Sequence, residues 1–439
     1  MYPEYISPDD IAVGRHPRSV GGTRAIEHTN GGEAEGMWQQ MQNTRGRALG
    51  KIAALAGMTM VLGACSSGPG ASGIDSSRED PGAEEVVCDA VEIGPITRCE
   101  NFYTDYWPII EKSMDELYEK AKTTAGGVVN VWDWYEQDPA VVAAFNKKWP
   151  DLTIKSQGLT YERSSAIVAA RATASETTDV MGGTLTVDKQ MFDEGYFADI
   201  DWVSYGLPKE FLVGVGKGAF PDSVNGYLLQ YNTKAIDPAK VPDSLDALVD
   251  GTWPKRSITM ADWESQAFSG IGMAQGKDAM TELIDTLKSS ETLLLSSDAS
   301  GLVSSGDVPM ALGTWLTVDN PNMAVKAFAD SAGFTQNAGV NTDAQNPAGA
   351  MIWALWNAYD PDWIEQRLTD PAYASTAVPW LGLPTKTLDS AKGLVATNIA
   401  AYTEGLKDDR FVWESLENRD EYVETINAAG DLLSDGGGW

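Results

Sequence analysis

The order of apolar and polar positions predicts strands alternating with helices. Apolar residues recur at helical spacing from Ile109 to Lys122, and a glycine pair follows. The segment Val128–Trp132, apolar except for Asn130, is typical of a buried strand. The same order returns downstream as a helix at 139–148, a strand at 152–155, a helix at 164–174 and a strand at 178–181. This alternation predicts an α/β fold with a parallel sheet.

The predicted strands also indicate where a ligand would bind. In open α/β sheets, ligands bind beyond the carboxyl ends of the strands. The segments that follow the first three predicted strands are Trp132–Tyr135, Gly158–Tyr161 and Gly182–Thr184. We therefore expect these three segments to lie together at one edge of the sheet.

The N-terminal region carries the pattern of an export signal. Basic residues at 45–51 precede an apolar run at 52–61, which is followed by Leu62-Gly63-Ala64-Cys65. The run is shorter than the ~20 apolar residues of a membrane-spanning helix. A leucine and two small residues before a cysteine form a lipobox, which implies lipidation of Cys65. The alternative is a buried helix with an incidental cysteine.

This pattern predicts the organisation of the first part of the chain. We expect residues 1–64 to be a signal region whose translation starts at Met37 or Met41. The segment 65–87 is rich in Ser, Gly, Pro and acidic residues and is expected to be a flexible tether. The protein would then be anchored by its lipid in the cell envelope, on the periplasmic or extracellular face of the cytoplasmic membrane.

The cysteine and histidine content limits the chemistry. If Cys65 carries the lipid, Cys88 and Cys99 remain as a pair in an oxidising compartment, where a disulfide is favoured. The only two histidines, His16 and His28, lie in the predicted signal region. Zinc sites with histidine ligands and histidine-based triads are therefore not expected in the exported protein, and we predict no metal site and no cofactor.

Composition excludes further classes of function. The chain has 32 Lys and Arg against 63 Asp and Glu, a net charge of -31, which disfavours nucleic-acid partners. We find no Gly-x-Ser-x-Gly element and no phosphate-binding loop ending in Gly-Lys-Ser/Thr. These absences predict a protein that is not an enzyme. A secreted hydrolase with an acid pair such as Asp262 and Glu264 is the alternative of another class.

The order of several segments resembles a known family. The matching segments include 131–135 (VWDWY), 138–145 (DPAVVAAF), 178–180 (TDV), 187–195 (VDKQMFDEG), 231–234 (YNTK), 241–248 (VPDSLDAL), 252–254 (TWP), 306–313 (GDVPMALG) and 347–353 (PAGAMIW). In this order, behind a lipobox, they resemble the extracellular solute-binding proteins of ABC importers, in the group of spermidine/putrescine and ferric-iron binders.

The resemblance implies a two-lobe, type 2 periplasmic-binding fold that closes over its ligand like a clamshell. The first lobe would comprise 126–228 and 340–439 and the second 233–335, with crossings near 226–231 and 334–346. Residues 88–125 would form an N-terminal extension with the disulfide and a helix. The expected function is to capture a small solute and deliver it to ABC permease subunits, and the family habit is monomeric.

The resemblance also implies the ligand contacts. By position, Trp132 and Tyr135 match the first-strand aromatic residues of the spermidine/putrescine binders, and Trp353 matches their late tryptophan. Tyr231 lies where ferric binders carry a tyrosine. The full set of expected contacts is Trp132, Asp133, Tyr135, Tyr161, Thr184, Tyr231, Asp262, Trp263, Glu264, Trp315 and Trp353. Aromatic faces and carboxylates together attract organic cations.

The ligand class stays open between three alternatives. Leu355 stands where the polyamine pattern has an acid, and no adjacent tyrosines occur for ferric iron. A sugar would also use stacked tryptophans. A small organic cation such as a polyamine is favoured over a carbohydrate or ferric iron. Four other tryptophans, Trp107, Trp149, Trp202 and Trp380, are expected only to pack.

Overall fold

The computed structural model describes residues 86–159, 162–186, 188–249, 253–261, 264–313, 320–373 and 377–434. The predicted signal region, the lipidation site at Cys65 and nearly all of the predicted tether lie outside these ranges. Four expected ligand contacts also lie outside them: Tyr161, Asp262, Trp263 and Trp315. No helix among the described residues is long and apolar enough to cross a membrane.

Strands and helices alternate over most of the described residues, as expected. The strands are β1 (Ala90–Ile93), β2 (Ile96–Cys99), β3 (Val128–Asp133), β4 (Thr153–Gly158), β5 (Val180–Gly183), β6 (Ala219–Gly226), β7 (Leu228–Asn232), β8 (Ile258–Met260), β9 (Leu293–Leu295), β10 (Met310–Gly313), β11 (Met323–Lys326), β12 (Ala332–Val340), β13 (Val378–Pro379) and β14 (Val412–Trp413). The helices are α1 (Trp107–Ala121), α2 (Pro139–Lys148), α3 (Arg163–Thr173), α4 (Lys189–Asp193), α5 (Ser269–Gln275), α6 (Lys277–Ser289), α7 (Ala299–Ser305), α8 (Pro347–Tyr359), α9 (Pro361–Thr369), α10 (Thr385–Leu388), α11 (Gly393–Gly405) and α12 (Arg419–Ser434).

The first lobe is built on the long antiparallel pair β6 and β12. Strand β13 pairs with β6, whereas β5 and β14 pair with β12, and β3 pairs in parallel with β4. The parallel sheet predicted from the alternation is therefore only partly present. The reason is that β6 leads out of this lobe and β12 leads back into it, so that β12 runs against both β6 and β5.

Helix α8 forms the centre of the first core. It is apolar on all sides and buried from Ala348 to Trp356, as expected for a helix covered on every face. Helix α1 packs on it through Ile110 and Met114. Asn346 caps α8 by accepting the N–H of Gly349 at 3.0 Å, and its amide donates to the carbonyl of Val128 at 3.1 Å. These bonds hold the start of β3 against the start of α8.

The second lobe has its own sheet and its own apolar core. The strand order is β11-β7-β10-β8-β9, in which β8 runs parallel to both of its neighbours. Helices α5 and α6 cover this sheet, with Ile271, Leu283 and Ile284 buried in the second core. Each lobe therefore has its own core, as expected for two lobes that are joined only by short crossing segments.

Among the described residues, three chain segments cross between the lobes. The first is at Tyr227, between β6 and β7, within the predicted range. The second is at 327–331, earlier than the predicted 334–346, because residues 332–340 already pair within the first sheet. The third follows β14 and was not predicted. It leads to α12, whose Tyr422, Ala429 and Leu433 pack in the second core, so this helix lies with the second lobe and not with the first as expected.

The N-terminal extension is attached to the first lobe. Cys88 and Cys99 form the expected disulfide across the β1–β2 hairpin. The N–H of Cys99 donates to the carbonyl of Gly382 at 2.9 Å, and Arg98 donates to the carbonyl of Leu381 at 3.1 Å. The hairpin is therefore part of the first core.

Removing the disulfide with C88A/C99A is expected to lower the free energy of unfolding by about 3 kcal/mol, because the unfolded chain loses a closed loop. Urea unfolding of the variant and the wild type measures the difference. Reduction of the wild type with dithiothreitol should lower its unfolding midpoint in the same direction. A variant as stable as the wild type would contradict the expectation.

Candidate ligand-binding site

The carboxyl end of β3 begins the candidate site. The Asp133 carboxylate accepts the N–H of Trp134 at 2.7 Å through Oδ1 and the side-chain amide of Gln137 at 3.0 Å through Oδ2. Gly158, which pairs with Asp133 in β4, lies so close to this loop that a Cβ there would stand 2.5 Å from the Glu136 nitrogen. These contacts fix the direction of the loop that leaves β3.

Two adjoining cavities lie at this strand end. The outer cavity has a volume of about 180 Å³ and the inner cavity about 90 Å³. Both are lined by Asp133, Gln137, Asp222 and Asn357, so the two cavities meet at these side chains. All the residues that line them belong to the first lobe.

Aromatic side chains surround the outer cavity. Trp134 is half-buried and Tyr135 is 40% exposed, both in the loop after β3. Trp363, on α9, is buried, with its ring edge-to-face on Tyr373 at 5.1 Å between centroids. The ring faces offer stacking surfaces for an apolar or cationic ligand.

Asp222 brings a second carboxylate to the junction of the cavities. It is the half-buried residue of β6, whose other residues are all buried. Burial raises the pKa of Asp222, an effect opposed by the hydroxyl of Ser223, which donates at 2.7 Å, and by the charge of Arg367, while the charge of Asp133 raises the pKa further. The two carboxylates at the junction therefore lie within the field of two arginines, Arg367 beside Asp222 and Arg163 beside Asp133.

Helices α8 and α9 also line the outer cavity, through Asn357, Trp363 and Arg367. The guanidinium of Arg367 donates to the backbone carbonyl of Asn357 at 3.1 Å through Nη1. The indole of Trp363 donates to the side-chain oxygen of Asn357 at 3.2 Å. Arg367, Trp363 and Asn357 therefore form a hydrogen-bonded group that lines the outer cavity.

A buried ion pair organises the inner cavity at the end of β5. Arg163 donates to the Asp188 carboxylate at 2.9 Å and to the carbonyl of Gly182 at 2.7 Å. The other oxygen of Asp188 accepts the N–H of Thr184 at 3.1 Å. Residue 183, between Gly182 and Thr184, must be a glycine. Its φ is +147°, and a Cβ there would collide with the Asp188 carboxylate.

The expected contacts in the first lobe are partly brought together. Trp132, Asp133 and Tyr135 line the cavities, as does Trp353. Trp353, however, is only 3% exposed and packs edge-to-face on Phe145 at 5.0 Å, so most of its ring belongs to the core. Thr184 is buried beside Asp188 and does not line either cavity.

Two expected contacts lie in the second lobe, away from these cavities. Tyr231 is on β7, between β10 and β11, and is half-buried against the second core. Glu264 is buried after β8, with its carboxylate against Gly313 at the end of β10. Glu264 therefore lies at the carboxyl end of the second sheet, with only 3% of its surface exposed.

The sequence patterns missed Asp222, Asn357, Arg367, Arg163 and Asp188. A lone acid in an otherwise buried strand is the one signal that could have indicated Asp222. Arg367 looks like an ordinary surface arginine near the end of a helix. The four tryptophans expected to pack, Trp107, Trp149, Trp202 and Trp380, are all buried.

Comparison with known proteins gives a likeness of fold. No protein-family model matches the chain, and no curated protein matches it. Among solved structures, the chain is similar to iron-bound HitA from Pseudomonas aeruginosa, with 16% identity, a TM-score of 0.50, and coverage of 69% of this chain and 99% of that one. It is similar to the spermidine/putrescine ABC transporter substrate-binding protein PotD from Streptococcus pneumoniae, with 15% identity, a TM-score of 0.50, and coverage of 70% and 99%.

A further similar structure is the GacH receptor of Streptomyces glaucescens, solved unliganded and with acarbose. The identity is 16%, the TM-score 0.51, and the coverage 70% of this chain and 93% of that one. These structures have the two-lobe architecture expected from the sequence. The chain therefore has the type 2 fold of the solute-binding proteins of ABC transporters.

Proposed function

We propose that this protein is the extracellular solute receptor of an ABC importer, and that its ligand is a small organic cation. The observation that carries the ligand class is the meeting of Asp133 and Asp222 at the junction of two cavities, one of them ringed by aromatic side chains. The fold supports the receptor role, because crossings between lobes allow hinge closure around a ligand.

The chemistry of the outer cavity supports a cationic ligand. A carboxylate forms a charge-assisted hydrogen bond with an ammonium group, and aromatic faces attract a cation. The burial of Asp222 and the nearby charge of Asp133 favour a bound cation, an effect that the charge of Arg367 opposes. The net charge of -31 also favours the approach of cations over that of anions.

A carbohydrate is the second candidate ligand. The side-chain amides of Gln137, Gln336 and Asn357 line the outer cavity together with Trp134 and Tyr135. Amides beside aromatic rings suit a neutral ligand with hydroxyl groups. Ferric iron has less support, because Tyr135 and Tyr373 bring phenol rings to the cavity from different segments but no adjacent tyrosines occur in the chain.

Anchoring and delivery complete the proposal. The lipid on Cys65 would hold the receptor at the membrane beside the permease subunits that accept the solute. The Cys88–Cys99 disulfide is consistent with an oxidising compartment outside the cytoplasm. The receptor would need no chemistry of its own.

The test is titration calorimetry on the purified full-length chain with putrescine, spermidine, choline, thiamine and maltotriose. We expect one of the cations to bind, and D133N and D222N each to weaken that binding about tenfold or more, since each removes a charge-assisted hydrogen bond. D285N, at an exposed acid of α6 in the second lobe, is the matched control and should bind like the wild type.

Other outcomes would redirect the proposal. Binding of maltotriose alone, unaffected by D222N, would favour the carbohydrate receptor. Steady turnover of any bound solute would contradict a receptor function and favour the hydrolase alternative.

A further inference from the structure

Two sets of side chains with opposite hydrogen-bonding character line the outer cavity. Asp133 lies at the end of β3 and Asp222 lies within β6. Their ionised carboxylate oxygens can only accept hydrogen bonds. Arg367 and Asn357, from α9 and α8, present guanidinium and amide N–H groups, which donate. A ligand that fills this cavity contacts both sets of side chains.

Arg367 is available to an anionic group. Its hydrogen bond in the described part of the chain goes from Nη1 to the backbone carbonyl of Asn357, and it forms no ion pair with a described carboxylate. A guanidinium has five N–H donors, so most of its hydrogen-bonding capacity remains for a ligand. Since its side chain is half-buried, an anionic partner would offset part of its desolvation.

Asn357 can support the same group. Its side-chain oxygen is occupied by the indole N–H of Trp363, at 3.2 Å. The side-chain nitrogen therefore remains to donate into the cavity, next to Arg367. Arg163, the other arginine of the site, cannot take this part, because it is already bound to Asp188 and to the carbonyl of Gly182.

We propose that the ligand is a zwitterion whose ammonium group lies between Asp133 and Asp222 and whose carboxylate lies against Arg367 and Asn357. This inference rests on the proposed function and narrows its ligand class. A purely cationic ligand would be repelled by Arg367 and would give its free N–H groups no acceptor. A neutral ligand would give neither Arg367 nor the two aspartates a charged partner.

The test compares pairs of compounds that differ in a carboxylate: lysine with cadaverine, ornithine with putrescine, and glycine betaine with choline. In calorimetry on the full-length chain, we expect the carboxylate-bearing member of a pair to bind about tenfold or more tightly, the usual effect of a charge-assisted hydrogen bond. In R367Q the two members should bind with equal affinity. R367K should restore part of the preference, since it keeps the charge but not the planar geometry.

R256Q, at an exposed arginine of the second lobe, is the matched control and should keep the full preference. Equal binding of both members by the wild type, or a preference that survives in R367Q, would overturn the zwitterion but leave the cation receptor standing. If no compound of either kind binds, both the zwitterion and the cationic ligand are wrong.

Discussion

Replacing Asp188 with Asn is expected to lower the free energy of unfolding by about 3–5 kcal/mol, the usual cost of breaking a buried ion pair by removing one partner. The Arg163 and Asp188 side chains are 6% and 3% exposed, so the variant leaves a buried guanidinium without its ion-pair partner and with only the more weakly acting Asp133 as a counter-charge. The substitution also weakens the bonds that Asp188 accepts from Ser164 and Thr184, at 3.2 and 3.1 Å.

Urea unfolding measures this change in free energy, and two further variants serve as comparisons. R163M/D188N removes both charges and should recover part of the lost stability, because no unpaired charge remains. E424Q breaks the exposed pair with Lys277 and should change stability by less than about 1 kcal/mol. A D188N variant no less stable than E424Q would show that the buried pair contributes little to the fold.

Replacing Glu414 with Gln is expected to stabilise the protein above neutral pH. Glu414 lies in the third crossing between β14 and α12, where its Oε1 accepts the N–H of Thr186 at 2.6 Å. Its Oε2 is buried and has no hydrogen-bond partner among the described residues. Burial raises the pKa of Glu414 from 4.5 to about 7, the bond from Thr186 opposes this, and the nearby charge of Asp188 adds to it.

The raised pKa of Glu414 makes the stability of the wild type depend on pH. Because the folded-state pKa lies above the unfolded one, the favourable contribution is fully present below about pH 4.5 and is lost as the pH rises through about 7. A shift of this size corresponds to about 3 kcal/mol, as an order of magnitude. E414Q should therefore match the wild type at low pH and exceed its stability at about pH 8.

Urea unfolding at several pH values checks this, with the difference between variant and wild type as the quantity of interest. The contributions of the other carboxylates cancel in this difference, because they are the same in the variant and in the wild type. E417Q, at an exposed acid three residues along the same crossing, is the matched control and should show a difference that does not change with pH. An E414Q variant that is equally destabilised at both ends of the range would contradict the expectation.

Part of the candidate site could be predicted from the sequence. Val128–Trp132 is a short run, apolar except for Asn130, and the residues after such a strand lie at the carboxyl edge of the sheet. Trp132, Asp133 and Tyr135 were expected there, and they line the cavities. Their position at the strand end could be predicted because strand periodicity and chain direction are local properties, which neighbouring residues determine.

The rest of the site depends on contacts between distant segments. Asp222 meets Asp133 because β6 runs through the first sheet on its way to the second lobe. Arg367 reaches the same cavity only because α9 packs beside α8, after the chain has returned. No local pattern marks either residue, since a lone acid in a strand and an arginine near a helix end are common in other roles.

The sequence by itself determined the alternation of strands and helices, the pairing of Cys88 with Cys99, and the strand end at which a site begins. These follow from local spacing, composition and cysteine count. Only the tertiary structure decided that β12 runs antiparallel to β5 and β6, that α12 lies with the second lobe, and that acceptor and donor side chains line one cavity. Those features arise where the chain crosses between two cores, and packing between residues far apart in sequence sets them.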